Sequence, residues 1–295
     1  VLTKYKDHNG NHPCITAVTN VANPDFKKIK ESDFQEYHYE TIASTYLRYP
    51  DSDRVLNLTH EGIQNKIFIP QSHGREHVQV NWWMSELQDI NSFARKFFDH
   101  EFFFLYNSLL KNNYRGRDIV AAFDVLTQDD LDSQIIIAKD SLIIFDNLFG
   151  FKSKIFTPPA LFYNPQIEEI IKREGIDWID VGRLFKVPQT DGTEKWQFNY
   201  LGRKKKSGLK VLVRNAMFES NISQSESAVD RCLYDIEQAF KLRQPAIISN
   251  HRACFTGRID DNNRRKGLFE LDLLFSRIVK KWPDVEFISI NELNF

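Results

Sequence analysis

Apolar and polar positions along the chain alternate between two periods. Short, β-branched apolar runs stand at residues 14–20, 67–69, 117–124, 154–159, 176–181, 210–215, 245–250 and 285–290. Each is bounded by Gly, Pro, Asn, Asp or a charged residue and is too short for a buried helix, so each predicts a strand. Between them, residues 40–49, 54–65, 78–112, 129–149, 165–174, 226–242 and 264–281 carry apolar side chains at helical spacing. Asn164-Pro165 opens one of these helices, and Gly150 and Gly175 close two. Residues 182–200 alternate around Asp191-Gly192, the pattern of a β-hairpin. Strands that alternate with helices about eight times predict parallel βα units, and their number favours a barrel-like α/β arrangement over an open sheet.

Residues 66–87, KIFIPQSHGREHVQVNWWMSEL, stand out within this pattern. An apolar run stops at Pro70, and a helical pattern starts at Val78. His73 and His77 lie between them, four residues apart, where α/β folds place ligands at the carboxyl ends of strands. Residues i and i+4 share a helix face, so the two imidazoles can meet one metal ion. They can equally be helix-start histidines that hydrogen-bond locally. Other strand ends would gather Asp124, Pro158-Pro159, Asp180, Arg214 and His251 on the same face. A histidine pair plus a separate histidine suits metal-assisted hydrolysis, in which the metal activates water and the third histidine protonates the leaving group. The alternative for His251 is a strand-end cap bonded to Arg252 or a nearby carboxylate.

Composition narrows the classes. Charged residues make up 27% of the 295 and the formal net charge is −1, which gives no electrostatic case for nucleic acid or an anionic membrane. The run Arg203-Lys204-Lys205-Lys206 reads as a solvated loop. No apolar stretch has the length of a membrane span. Three cysteines, Cys14, Cys232 and Cys254, without paired spacing favour a reducing, cytoplasmic setting. Sequons begin at Asn57 and Asn221 but mean little without secretion. The 24 phenylalanines and the pair Trp82-Trp83 are read as core packing, with sugar stacking as the competing role for the tryptophans.

Four stretches in order then resemble the polysaccharide deacetylase family, the NodB-homology domain: SHGREH at residues 72–77, Phe156-Thr157-Pro158-Pro159, Asp177-Trp178, and Ile248-Ser249-Asn250-His251. The phrases around SHGREH and His251 look closest to a divergent branch associated with bacterial surface polysaccharides. The resemblance implies a distorted, incomplete (β/α) barrel of about seven or eight parallel strands with an inserted hairpin, forming one domain over residues 1–295. It implies a divalent metal, usually Zn2+, held by His73, His77 and an Asp. It further implies His251 as general acid and removal of an acyl group from a carbohydrate.

Two departures qualify the expectation. The family's Asp-Asp pair has no counterpart, which places its strand upstream of Val1 or makes the chain a barrel that binds a glycan or protein partner without the chemistry. Asp25 and Asp124 are the available substitute ligands. The Arg of the proline motif is replaced near Phe156-Thr157. Glu76 is read as a partner orienting a ligand histidine or as a first-turn acid favoured by the helix dipole. Arg75, Asp180, Arg214 and Arg252 are read as candidates for substrate binding or local ion pairing. Oligomeric state is left open.

Overall fold

The computed structural model describes residues 1–52, 54–221 and 227–293. In chain order its elements are β1 (Ile15–Thr19), β2 (Ala22–Pro24), α1 (Phe26–Glu31), β3 (Tyr39–Thr41), α2 (Ile42–Arg48), α3 (Val55–Gln64), β4 (Phe68–Ser72), α4 (Val80–Gln88), α5 (Phe93–Phe98) and α6 (Gln128–Phe149). They continue with β5 (Ile155–Phe156), α7 (Glu168–Arg173), β6 (Trp178–Asp180), β7 (Leu184–Pro188), β8 (Glu194–Phe198), β9 (Lys210–Leu212), β10 (Ala216–Met217), α8 (Ala228–Lys241), β11 (Ile248–Ser249) and α9 (Asp261–Lys281). The chain divides into two compact units, one of Val1–Thr16, Gly62–Ile69 and Val213–Phe295, the other of Ala17–Glu61 and Pro70–Leu212.

The fold is mixed α/β around a five-stranded parallel sheet of order β1-β4-β5-β6-β9. Register sets Ser72 beside Phe156, Phe156 beside Ile179, and Asp180 beside Leu212, which aligns the carboxyl ends of these strands. Among the described residues the sheet does not close into a barrel. The predicted hairpin is β7–β8, turning through Gly192 at φ 79°. α6 begins with a capping box between Thr127 and Asp130 and ends at Gly150, whose φ of 76° suits a residue without Cβ. The second unit's core gathers Trp83, Phe98, Leu87, Leu105 and Ile119. Burying each such side chain contributes about 1.5–3 kcal/mol.

In the first unit, parallel strands β10 and β11 pack with α8 and α9 around Phe218, Val229, Ile236, Leu274 and Ile278. Gly267 of α9 lets the helix approach the 3-10 turn at Arg252–Phe255, since a Cβ there would stand 1.9 Å from the Cys254 carbonyl oxygen.

Three predicted elements differ. Residues 117–124 are buried but form successive turns, with backbone bonds from Ala121 to Asp118, Ala122 to Val120 and Asp124 to Ala121. An apolar run buries equally well in either backbone, so the pattern did not distinguish them. Residues 78–112 hold α4 and α5, then irregular chain, because the buried Glu86 carboxylate accepts the backbone N–H groups of Lys111 (2.9 Å) and Asn112 (3.1 Å) and draws that segment back over α4. Residues 285–289 are no strand: the Phe287 N–H is donated to Asp7 Oδ2 at 2.8 Å rather than to a neighbouring strand. The basic run is also not wholly solvated, since Lys205 donates to Glu168 Oε1 at 2.5 Å and to the Tyr163 hydroxyl at 2.6 Å in a buried cluster. The sequon at Asn221 runs into Ile222 and Ser223, outside the described residues.

Asp7 ties the first unit's two chain ends. Besides Phe287, it accepts the N–H groups of Asn11 (2.8 Å) and Asn9 (2.9 Å). Burial pushes its carboxyl up, but these donors outweigh burial and hold it below the ordinary range. A depressed carboxyl stabilises the fold fully above its unfolded value near pH 4, and the contribution is lost as pH falls through the lower folded value. Asp7→Asn is expected to cost about 2 kcal/mol at neutral pH. Urea midpoints followed from pH 7 to pH 3 check this: the parent should converge on the variant as pH falls.

Candidate functional site

β4 runs into the histidine stretch through a tightly bonded turn. The His73 N–H donates to the Thr19 carbonyl at 3.0 Å, and Asn20 Nδ2 donates to the His73 carbonyl at 2.6 Å. The Arg75 carbonyl accepts the N–H groups of both Val21 (3.0 Å) and Ala22 (2.8 Å). Gly74 sits between at φ 78°, where a Cβ would lie 2.8 Å from the buried Phe123 ring. Both conditions call for glycine.

The geometry brings His73 and His77 together. Their rings meet edge to face with centroids 5.0 Å apart. His73 Nδ1 bonds the Thr157 carbonyl at 2.7 Å. A carbonyl only accepts, so Nδ1 carries the proton and the neutral ring keeps its lone pair on Nε2. The Thr157 hydroxyl in turn donates to Asp180 Oδ2 at 3.1 Å. His73, Thr157 and Asp180 therefore form one polar chain across the ends of β4, β5 and β6. Asp180 is 2% exposed. His77 is half-buried, and burial lowers its pKa against the backbone of Val120, which raises it. Its buried Nδ1 has no partner at hydrogen-bonding geometry.

The two charged residues between the histidines pair with each other. Arg75 donates to Glu76 from Nε (2.6 Å) and Nη2 (3.0 Å), and to Asp140 from Nη1 (2.9 Å). Its guanidinium also lies 4.2 Å from the centroid of the Tyr39 ring. Burial pushes the Glu76 carboxyl up while Arg75 pulls it down. Glu76 is 1% exposed and paired with Arg75, so it orients no histidine.

The proposed substitute ligands lie elsewhere in role. Asp25 caps α1, accepting the Lys28 N–H at 3.1 Å. Asp124 is fully buried and paired with Arg115 and with Arg117 (3.1 Å). Burial pushes its carboxyl up to about 6, against the pull of the two arginines. Among the described residues no group of three or more His, Cys, Asp or Glu is placed to hold a metal ion. The histidine pair supplies two nitrogen donors, one fewer than the three protein ligands of a catalytic zinc site, so the residues present do not fit that centre.

In the first unit, His251 Nδ1 bonds Glu219 Oε1 at 2.6 Å, while Cys254 Sγ donates to Glu219 Oε2 at 3.3 Å. The carboxylate is buried and the imidazole largely exposed. The histidine that follows β11 thus bonds a carboxylate. Glu219 itself carried no sequence signal, being 32 residues away. Arg214 donates to the Ser249 hydroxyl at 3.3 Å. Arg252 is exposed at the start of its 3-10 turn. Asp177 pairs with Lys172 (2.8 Å) and Lys154 (3.3 Å). Trp82 and Trp83 are both buried, Trp82 stacking on Tyr114 at 4.5 Å, which excludes them from sugar contact.

Replacing Gly74 tests how far the histidine turn depends on its backbone. Gly74→Ala is expected to destabilise by about 2–3 kcal/mol, from the left-handed φ and the clash with Phe123 together. Chemical denaturation measures it.

The sequence model of a family described as Glycosyl hydrolase family 57 matches residues 23–238, most of the chain. No curated protein and no solved structure matches. This finding overturns the resemblance to polysaccharide deacetylases, and with it acyl removal as the activity. Short motifs carried that resemblance: two histidines at a strand end, a double proline, an Asp-Trp pair and a late histidine. Such local features suit many α/β folds, whereas the match extends over whole elements. The metal-binding expectation loses its support as well, for want of a third ligand among the described residues.

Proposed function

We infer the activity from one premise: the chain belongs to glycosyl hydrolase family 57. It hydrolyses glycosidic bonds, and its substrate is a carbohydrate. The observation that supports a location is the His73–Thr157–Asp180 chain at the aligned strand ends, inside the matched residues. Glycoside hydrolysis passes through an oxocarbenium-like transition state, which needs a carboxylate against the sugar carbon and a proton for the leaving oxygen. Asp180 supplies the carboxylate, held in place by the Thr157 hydroxyl. His73 gives the leaving oxygen a proton from Nε2 when the ring is doubly protonated, its Nδ1–H being committed to the Thr157 carbonyl. The family's (β/α)7 barrel supports reading the five-stranded sheet as part of such a barrel.

The test is release of reducing ends from α- and β-linked oligosaccharides. Asp180→Asn is expected to lower kcat about 10³-fold with the circular dichroism spectrum unchanged. Full activity in that variant removes Asp180 from the mechanism. Release of acetate without new reducing ends removes the reading.

A further inference from the structure

The hairpin that leaves β6 carries an exposed aromatic face. In its register Leu184 opposes Phe198 and Lys186 opposes Trp196. Opposed residues of an antiparallel pair share a face, and so do residues two apart. Leu184 (62% exposed), Trp196 (65%) and Phe198 (60%) therefore line one side. The other side is anchored: Phe185 and Val187 are buried, and Phe185 stacks on Tyr163 at 5.3 Å. Arg115 fixes the turn by donating to the carbonyls of Gly192 (3.1 Å) and Thr193 (3.0 Å). The aromatic face is thus held rigidly outward.

We propose that this face is a glycan-binding platform, on which pyranose rings stack against Trp196 and Phe198. The proposal rests on the glycoside hydrolase reading and adds a subsite to it. Two observations choose a sugar chain as occupant. The rings stand roughly 7 Å apart along the strand, on the scale of neighbouring sugar rings. They are interleaved with hydrogen-bonding groups: Lys186 lies 5.1 Å from the centroid of the Trp196 ring and 3.1 Å from Glu194. Flat apolar faces edged by polar groups match a sugar, which presents C–H faces and hydroxyl edges. A second copy of the chain fits less well, because three side chains fall far short of the ~800 Å² per partner of a stable interface.

The experiment uses the full chain carrying Asp180→Asn and an array of α- and β-linked gluco-, manno-, galacto- and chito-oligosaccharides. Binding to at least one class is expected. Adding Trp196→Ala should weaken it about tenfold, and Trp196→Phe should restore most of it. Ile136→Ala, an exposed site on α6, should change nothing. Equal affinity of the Trp196→Ala and parent chains overturns the platform, as does absence of binding to any class. So does dimerisation lost in Trp196→Ala without glycan binding. Glycan binding that depends on Trp196, in a chain whose unsubstituted form cleaves nothing it binds, keeps the platform and sinks the hydrolase reading.

Discussion

The buried Arg75–Glu76 pair is the interaction on which the site depends. Its guanidinium reaches Glu76, Asp140 on α6 and the Tyr39 ring on β3, while the Arg75 carbonyl takes two N–H groups from the chain leaving β1. Three segments are thereby tied to the turn that holds His73 and His77. An ion pair this deeply buried gives little net stability, but removing one partner leaves an uncompensated charge at a cost of about 3–5 kcal/mol. The two residues most easily mistaken for chemistry, because they sit between the histidines, are the frame that positions them.

That frame holds the histidine turn against the strand ends. Parallel pairing aligns Ser72, Phe156 and Ile179, so the residues that follow β4 and β5 and the one that ends β6 emerge side by side. Thr157 links them, giving its carbonyl to His73 and its hydroxyl to Asp180. One threonine thus bonds both a histidine ring and a carboxylate. In the first unit a buried carboxylate, Glu219, bonds an exposed imidazole, His251, directly.

Electrostatics divides the remaining acids by role. Asp124 is buried between arginines, Asp25 caps a helix, and Asp7 gathers backbone donors. Each satisfies a structural demand that any buried charge or helix start must meet. Trp82 and Trp83 are likewise consumed by the core, whereas Trp196 and Phe198 are left outside on the hairpin.

Local pattern determined a good part of this. The α/β class, the hairpin around Asp191-Gly192, α6 with its Gly150 cap, and the placement of His73, His77 and Asp180 at strand ends follow from periodicity and turn chemistry, which act over a few residues. The alternation in residues 182–200 also held the Trp196–Phe198 stripe, since residues two apart in a strand share a face. Tertiary structure decided the rest. Whether residues 117–124 and 285–289 form strands depended on where distant donors found acceptors, as when Asp7 took the Phe287 N–H across 280 residues of sequence. Glu76, Asp124 and Asp25 lost their candidate roles to arginines and backbone N–H groups that the fold brought to them. Short motifs pointed to one activity and the match over most of the chain to another, because a histidine pair reports a local turn while chemistry depends on what the whole fold sets around it.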